Sequence, residues 1–167
     1  ITLPLTLQKD SAVAITKREE PLPQESPLKG MHILLAEDND LNRDIACDLL
    51  RLRGVVVLQA KNGQEAVERF KAAAPFSIDA ILMDMRMPVM DGCTASFAIR
   101  NLKRPDAQLV PIIAVTANAF AEDIAATHAA GMDAHVSKPM DFALVEKTLA
   151  RLCAQRRRSV PNTGEQA

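Results

Sequence analysis

The sequence predicts an α/β fold, a doubly wound parallel sheet of five strands with a helix after each, and three observations carry that prediction. Short apolar runs alternate with helix-spaced segments five times between residues 32 and 152. The first four runs show little polar alternation, as expected of parallel strands covered on both faces. The C-terminal ends of the runs gather acids, a hydroxyl and a lysine, and in such sheets that edge holds the functional crevice.

The elements follow in order. The first run is "HILLA" (His32 to Ala36), and Leu41, Ile45, Leu49 and Leu52 then recur at three- and four-residue steps that read as a helix until Gly54 caps it. "VVVLQA" (Val55 to Ala60) leads to a helix from about Gln64 to Ala73, marked by Ala66, Val67 and Phe70. "AILMD" (Ala80 to Asp84) precedes a helix from roughly Cys93 to Asn101, and "PIIAV" (Pro111 to Val115) precedes one from Ala121 to Ala130 stopped by Gly131. "AHV" (Ala134 to Val136) is the fifth strand, and Asp141 is the expected N-cap of a last helix bearing Phe142, Val145, Leu149 and Leu152. Right-handed crossovers are nearly forced by five such units in one sheet.

Composition narrows the function. The chain has 167 residues, 48% apolar and 25% charged, with no Trp or Tyr, enough for one domain with flanking tails. A formal net charge of -1 gives no basic field for nucleic acid. No apolar run reaches the length of a membrane span, so no membrane contact is expected of this stretch. The start, "ITLPLTLQKD", has neither the form of a signal peptide nor an initiator Met, and the chain is read as part of something longer. Cys47, Cys93 and Cys153 have neither metal-ligand nor disulfide spacing, so free thiols and a cytoplasmic setting are expected.

Residues 1–29 read as a linker, with Pro21, Pro23 and Pro27 among charged residues. The domain proper is read as 30–155, and 156–167 as a basic and polar tail, disordered in expectation. Arg156 to Arg158 fit a solvated helix end favoured by the helix dipole.

The strand ends carry the chemistry. Glu37 and Asp38 follow the first strand, Asp84 ends the third, Thr116 follows the fourth, and Lys138 lies just beyond the fifth. A carboxylate ending a buried strand costs free energy unless something pairs with it, and here a lysine and a metal can share the charge. Three clustered carboxylates repel one another. Mg2+ relieves that with a few carboxylate oxygens while keeping positions for water and phosphate. A carboxylate so placed can attack phosphorus and form an acyl phosphate.

"LLAEDND", "LMDMRMPVMDG", "IIAVTANAF" and "GMDAHVSKPMD" resemble, in order and spacing, the receiver domains of two-component response regulators over about residues 30–155. The resemblance implies a flavodoxin-like sheet of strand order 2-1-3-4-5. It implies Asp84 as phosphoacceptor, Asp38 on Mg2+ directly, Glu37 through a water, and Arg86 through its backbone carbonyl. Thr116 is then the switch hydroxyl, Ala117 the small residue beside the phosphoryl group, and Lys138 the phosphate-pairing lysine with a cis bond to Pro139. Gly92 would leave room for backbone near the site. One position departs from the pattern: His135 stands where relatives carry Tyr or Phe, and it is expected to face the switch slot and weaken the coupling.

The wording "AEDNDLNRDIACDLL" is most similar to receivers fused to histidine kinases, and "ITLPL" resembles the end of a kinase ATP-binding domain. That implies a histidine kinase, in cis, as donor, and a separate histidine phosphotransfer protein as acceptor. It also implies docking on the first helix, Leu41 to Arg53, with Arg43 exposed there. A stand-alone or output-linked receiver is the alternative, and a homodimer through the fourth helix, fifth strand and fifth helix is a further option. A phosphatase using the Asp84 nucleophile would need a second Asp two residues on, and that position is Arg86. A flavodoxin-like phosphate cradle would need a Gly- and Ser-rich first loop, where this chain has the acidic "AEDND".

Overall fold

The computed structural model describes residues 25–118 and 120–160. Its elements are β1 (His32–Ala36), α1 (Asp40–Arg51), β2 (Val56–Ala60), α2 (Gly63–Ala72), β3 (Ala80–Asp84), α3 (Gly92–Arg100), β4 (Ile112–Thr116), α4 (Ala121–Ala129), β5 (Ala134–Ser137) and α5 (Phe142–Ser159). All four strand pairings are parallel, and the order is β2-β1-β3-β4-β5. Each predicted element is present within about two residues, except that α5 continues through Ser159. The strand order reverses between β1 and β3, which opens the crevice at their carboxyl ends.

Two apolar layers hold the sheet. Ala46, Cys47 and Leu50 of α1 and Val145, Leu149 and Leu152 of α5 pack on one face. Ala66 and Phe70 of α2 and Ala95 and Ile99 of α3 pack on the other. The central strands β3 and β4 are buried along their whole length, as the apolar runs predict. The edge strand β2 is not: Val56 is exposed and Val57 to Gln59 are half-buried.

Helix α1 corrects the sequence reading at Arg43 and decides which of its apolar residues face the sheet. Leu41 and Ile45 are 69% and 49% exposed, Leu52 is exposed and Leu49 half-buried, while Ala46, Cys47 and Leu50 face the sheet. Both stripes have helical spacing, so period alone could not choose between them. Small side chains let the helix lie close to the sheet, and the Asn39 cap, which accepts from the Asn42 amide, fixes where the helix starts. Arg43, expected on the surface, is buried as well.

The domain edges also differ from the expected 30–155. Leu28 is fully buried in the α1/α5 layer, and the Ser26 hydroxyl donates to Glu146, which pairs with Arg53. Arg156 donates to the Ile78 and Asp79 carbonyls, so the basic end of α5 is tied to the fold through that residue. The strand-like "ITLPLTL" and the tail beyond Val160 lie outside the described residues. Gly54 and Gly131 close α1 and α4 at φ of 79° and 80°, a conformation that costs glycine little.

The α2–β3 and α3–β4 connections are locked by one clasp. Asp106 is fully buried, pairs with Arg104 at 2.5 Å and accepts from the Phe76 amide. Arg104 also caps the last carbonyls of α2, including those of Phe70 and Ala73, and stacks on the Phe70 ring. None of this touches the crevice, but it fixes the layer that β3 rests on.

Candidate functional site

At the carboxyl end of β1 the chain continues one more ladder bond, Glu37 N–H to the Ala60 carbonyl, before turning into α1. That turn holds Glu37 buried and Asp38 exposed. Asp84 closes β3 beside it, and carboxylate oxygens of Glu37, Asp38 and Asp84 lie within 4.8 Å of one another. Lys138 reaches across from the residue after β5. Its ammonium donates to Asp84 Oδ2 at 2.8 Å and lies 2.9 Å from Glu37 Oε2.

Electrostatics follow from that crowding. Burial pushes the Glu37 carboxyl above its ordinary range; the Lys138 hydrogen bond pulls against it and the Asp84 charge adds to it, and the net shift is upward. Burial works against the Lys138 ammonium too, but its bonds to Asp84 and Glu37 win and raise its pKa. One cation serving three acids leaves the site short of positive charge. The donor set is all hard oxygen, with two acids buried and one exposed, and it fits Mg2+. Glu37, Asp38 and Asp84 are the side chains that would hold it.

The other expected residues take separate places. The Arg86 amide donates to Asp84 Oδ1 at 3.1 Å, which orients the carboxylate, while its side chain is exposed. Thr116 ends β4 and is buried, but its hydroxyl donates to the Asn118 carbonyl at 2.7 Å and not to Asp84. Ala117 borders the cavity beside Glu37 and Lys138. The Lys138–Pro139 peptide is cis, as the resemblance implies. His135 is half-buried on β5, opposite Ala114 of β4, on the sheet face that carries α4.

Two openings lead to the acids. A groove of about 610 Å³ runs from Glu37 and Lys138 between α1 and the start of α5, walled by Ile45, Leu49, Met140 and Phe142. A second, more polar one lies on the other side, between Asp38, Arg86, Cys93 and Asp123. On the α1 side the apolar wall of the first is the outward stripe, Ile45 and Leu49, of the helix that the resemblance assigns to docking. Sequence reasoning also missed Arg43. Its guanidinium is buried under the acidic turn and donates to the Glu37 carbonyl at 3.0 Å. The signal available was Asp40 three residues before it, an ion-pair spacing that the structure realises.

Comparison with known proteins bears on the site. Residues 33–150 match the response regulator receiver domain family. The chain is 43% identical over 121 residues to hybrid signal transduction histidine kinase M of Dictyostelium discoideum, covering 72% of this chain and 5% of that protein. The chain thus spans only a small part of that relative. Its structure is similar to the receiver domain of a sensor histidine kinase from Pseudomonas aeruginosa PAO1, solved with a magnesium ion in the active site cleft. That match has a TM-score of 0.68 and 38% identity, covering 75% of this chain and 98% of the other. It is also similar to the Saccharomyces cerevisiae response regulator Ssk1 receiver, co-crystallised with the histidine phosphotransfer protein Ypd1. Here the TM-score is 0.68 and the identity 26%, over 77% of this chain and 92% of the other.

Proposed function

We propose, from the premise that the chain belongs to the response regulator receiver domain family, that Asp84 takes a phosphoryl group from a phosphohistidine and that the domain passes the signal on within a phosphorelay. The observation that carries this is the Asp84 carboxylate, set at a strand end 2.8 Å from the Lys138 ammonium and within 4.8 Å of two further acids. A carboxylate oxygen attacks phosphorus, the new P–O bond forms as the P–N bond breaks, and the electron pair leaves with the imidazole. Mg2+, when bound, would supply positive charge to the phosphoryl oxygens.

The chain's own residues do the rest. The Arg86 amide holds one Asp84 oxygen and Lys138 the other, so the nucleophile is oriented before the donor arrives. The third phosphoryl oxygen requires a donor, and Thr116 supplies it by leaving the Asn118 carbonyl. Giving up that bond costs about 1 kcal/mol, which a charged acceptor more than returns. Removing the Thr116 side chain from its present position would open space on the β4–β5 side of the sheet. His135 fills that space less well than a phenol ring, so the rearrangement of α4 and β5 is partial.

The partner surface in this reading is the groove between α1 and α5. A phosphohistidine on a helix needs an apolar seat within reach of Asp84, and Ile45, Leu49, Met140 and Phe142 form one, with the exposed Leu41 one turn before Ile45 on α1. The seat fits a helix of a histidine phosphotransfer protein, the class of partner seen on the Ssk1 receiver. The donor is a histidine kinase, and relatives such as the Dictyostelium kinase support a parent protein in which it lies on the same chain.

The test is transfer from a phosphorylated histidine phosphotransfer protein. Wild type should take up the label with Mg2+ and Asp84→Asn should not. Ile45→Glu should slow that transfer by at least about tenfold, as loss of an interface anchor does. Labelling by acetyl phosphate should be spared. If Ile45→Glu transfers at the wild-type rate, the docking surface is elsewhere.

A further inference from the structure

Arg43 is 5% exposed, yet it sits on α1 only a turn from solvent and bonds in three directions. Nη1 donates to the Glu37 carbonyl at 3.0 Å, Nη2 pairs with the exposed Asp40, and Nε reaches Gln59 Oε1 on β2 at 3.4 Å. Its own amide donates to the Asn39 carbonyl. The acidic turn is therefore gripped at its first residue by the Arg43 side chain and at its last by the Arg43 backbone. Between those two points hang the Glu37 and Asp38 carboxylates.

We propose that Arg43 is a positioning residue for the cation site: it holds the Glu37–Asn39 turn so that both carboxylates face Asp84, and it sets Mg2+ affinity without touching the metal. The inference rests on the Mg2+ reading of the acids given above. Three observations favour positioning over a role in packing alone. The bond goes to the backbone of a proposed ligand residue. It is buried, so water cannot replace it cheaply. The turn's other braces are the Glu37 amide on the Ala60 carbonyl, the Asn42 amide on the Asn39 side chain, Lys138 on the Glu37 carboxylate and the weak Asn39 amide bond to Glu37 Oε1 at 3.2 Å, and among the described residues none of them holds the Glu37 carbonyl that Arg43 grips.

A competing effect has the opposite sign. A buried cation near a divalent site repels the metal, so deleting Arg43 could tighten binding. Here Asp40 already neutralises the guanidinium, so the field at the acids is small and geometry decides. Partners that orient ligands from behind are worth about 10- to 100-fold in metal affinity when removed.

The experiment is a Mg2+ titration of the full chain, read from the NMR shifts of the Glu37, Asp38 and Asp84 amides, with thermal melts by circular dichroism alongside. Arg43→Met keeps length and apolar volume, and it should weaken Mg2+ about tenfold at temperatures where the protein is fully folded. Arg43→Lys, with one donor still able to reach the Glu37 carbonyl, should recover part of the loss and covers the case in which the Met variant does not fold. Gln59→Leu, which removes only the long Nε contact, should bind as wild type does. Equal or tighter Mg2+ binding in both Arg43 variants overturns the proposal, whatever their melting temperatures. If wild type itself shows no Mg2+-dependent shifts at these amides, the metal reading beneath it fails, and this proposal with it.

Discussion

Gly92 is the first residue of α3, and the structure leaves no room there for a side chain. A Cβ built at that position would lie 2.3 Å from the Asp84 carbonyl oxygen and 3.1 Å from Met83 Cγ. Ordinary contact begins at 3.4 Å, so the strand end and the helix start must part by about 1 Å in Gly92→Ala. The clash is with backbone, which cannot rotate away as a side chain would. Overpacking of this kind costs about 1–3 kcal/mol of stability. Its larger effect falls on chemistry, because the residue pushed is the proposed nucleophile. A displacement of about 1 Å at a reacting group can cost on the order of 100-fold in rate. The assay is Mg2+-dependent labelling by acetyl phosphate, followed by intact mass, since the chain has no Trp to report binding. Melts by circular dichroism locate the folded range, and rates are compared within it. Labelling of Gly92→Ala at the wild-type rate would refute the claim that this close approach fixes Asp84.

Four further outcomes follow from particular contacts. Burial alone would raise the Asp106 carboxyl, but Arg104 and the Phe76 amide outweigh it and lower its pKa. A depressed carboxyl stabilises above its unfolded value of about 3.9 and loses that contribution as pH falls through the folded one. Urea melts should therefore show wild type losing more stability than Asp106→Asn below about pH 4. At neutral pH, Asp106→Ala should cost about 3–5 kcal/mol by leaving Arg104 unpaired. Leu28→Ala should lower stability by about 2–5 kcal/mol, because the residue is fully buried although it lies among prolines and charges, and a melt unchanged from wild type would remove Leu28 from the core. His135→Tyr should enlarge, and His135→Ala shrink, the beryllium-fluoride-induced NMR shifts along α4, and identical patterns in all three proteins would make His135 a bystander.

The site was legible because its residues sit at places the fold dictates. Once the apolar runs are read as parallel strands, Glu37, Asp38, Asp84 and Lys138 fall at the carboxyl edge, and the observed order makes β1 and β3, which carry the three acids, neighbours. The central strands were legible for the same reason, being apolar throughout. What the sequence could not show was phase and reach. In α1 two apolar stripes compete, and only the sheet beneath decides that Ala46 and Cys47 go in while Leu41 and Ile45 stay out. Arg43 reads as a surface charge because nothing local shows that the Glu37 carbonyl waits above it. The Thr116 hydroxyl, read as facing the phosphoryl group, is held by Asn118, a conformational choice that residue type does not contain. Ser26 and Arg156 are tied to the fold through contacts more than seventy residues away, to Glu146 from the first and to Ile78 from the second, and Leu28 is buried beside Ser26 in the same layer.

The central claim is that one side chain, Asp84, becomes phosphorylated. An acyl phosphate is reduced by borohydride, which marks the acceptor permanently, so the protein can be labelled by acetyl phosphate with Mg2+, reduced, digested and mapped by mass. The account predicts a mark on Asp84 that disappears with a chelator and in Asp84→Asn, and that weakens in Lys138→Ala. A mark on any other residue of the wild type, or an undiminished one after Mg2+ is removed, would contradict it.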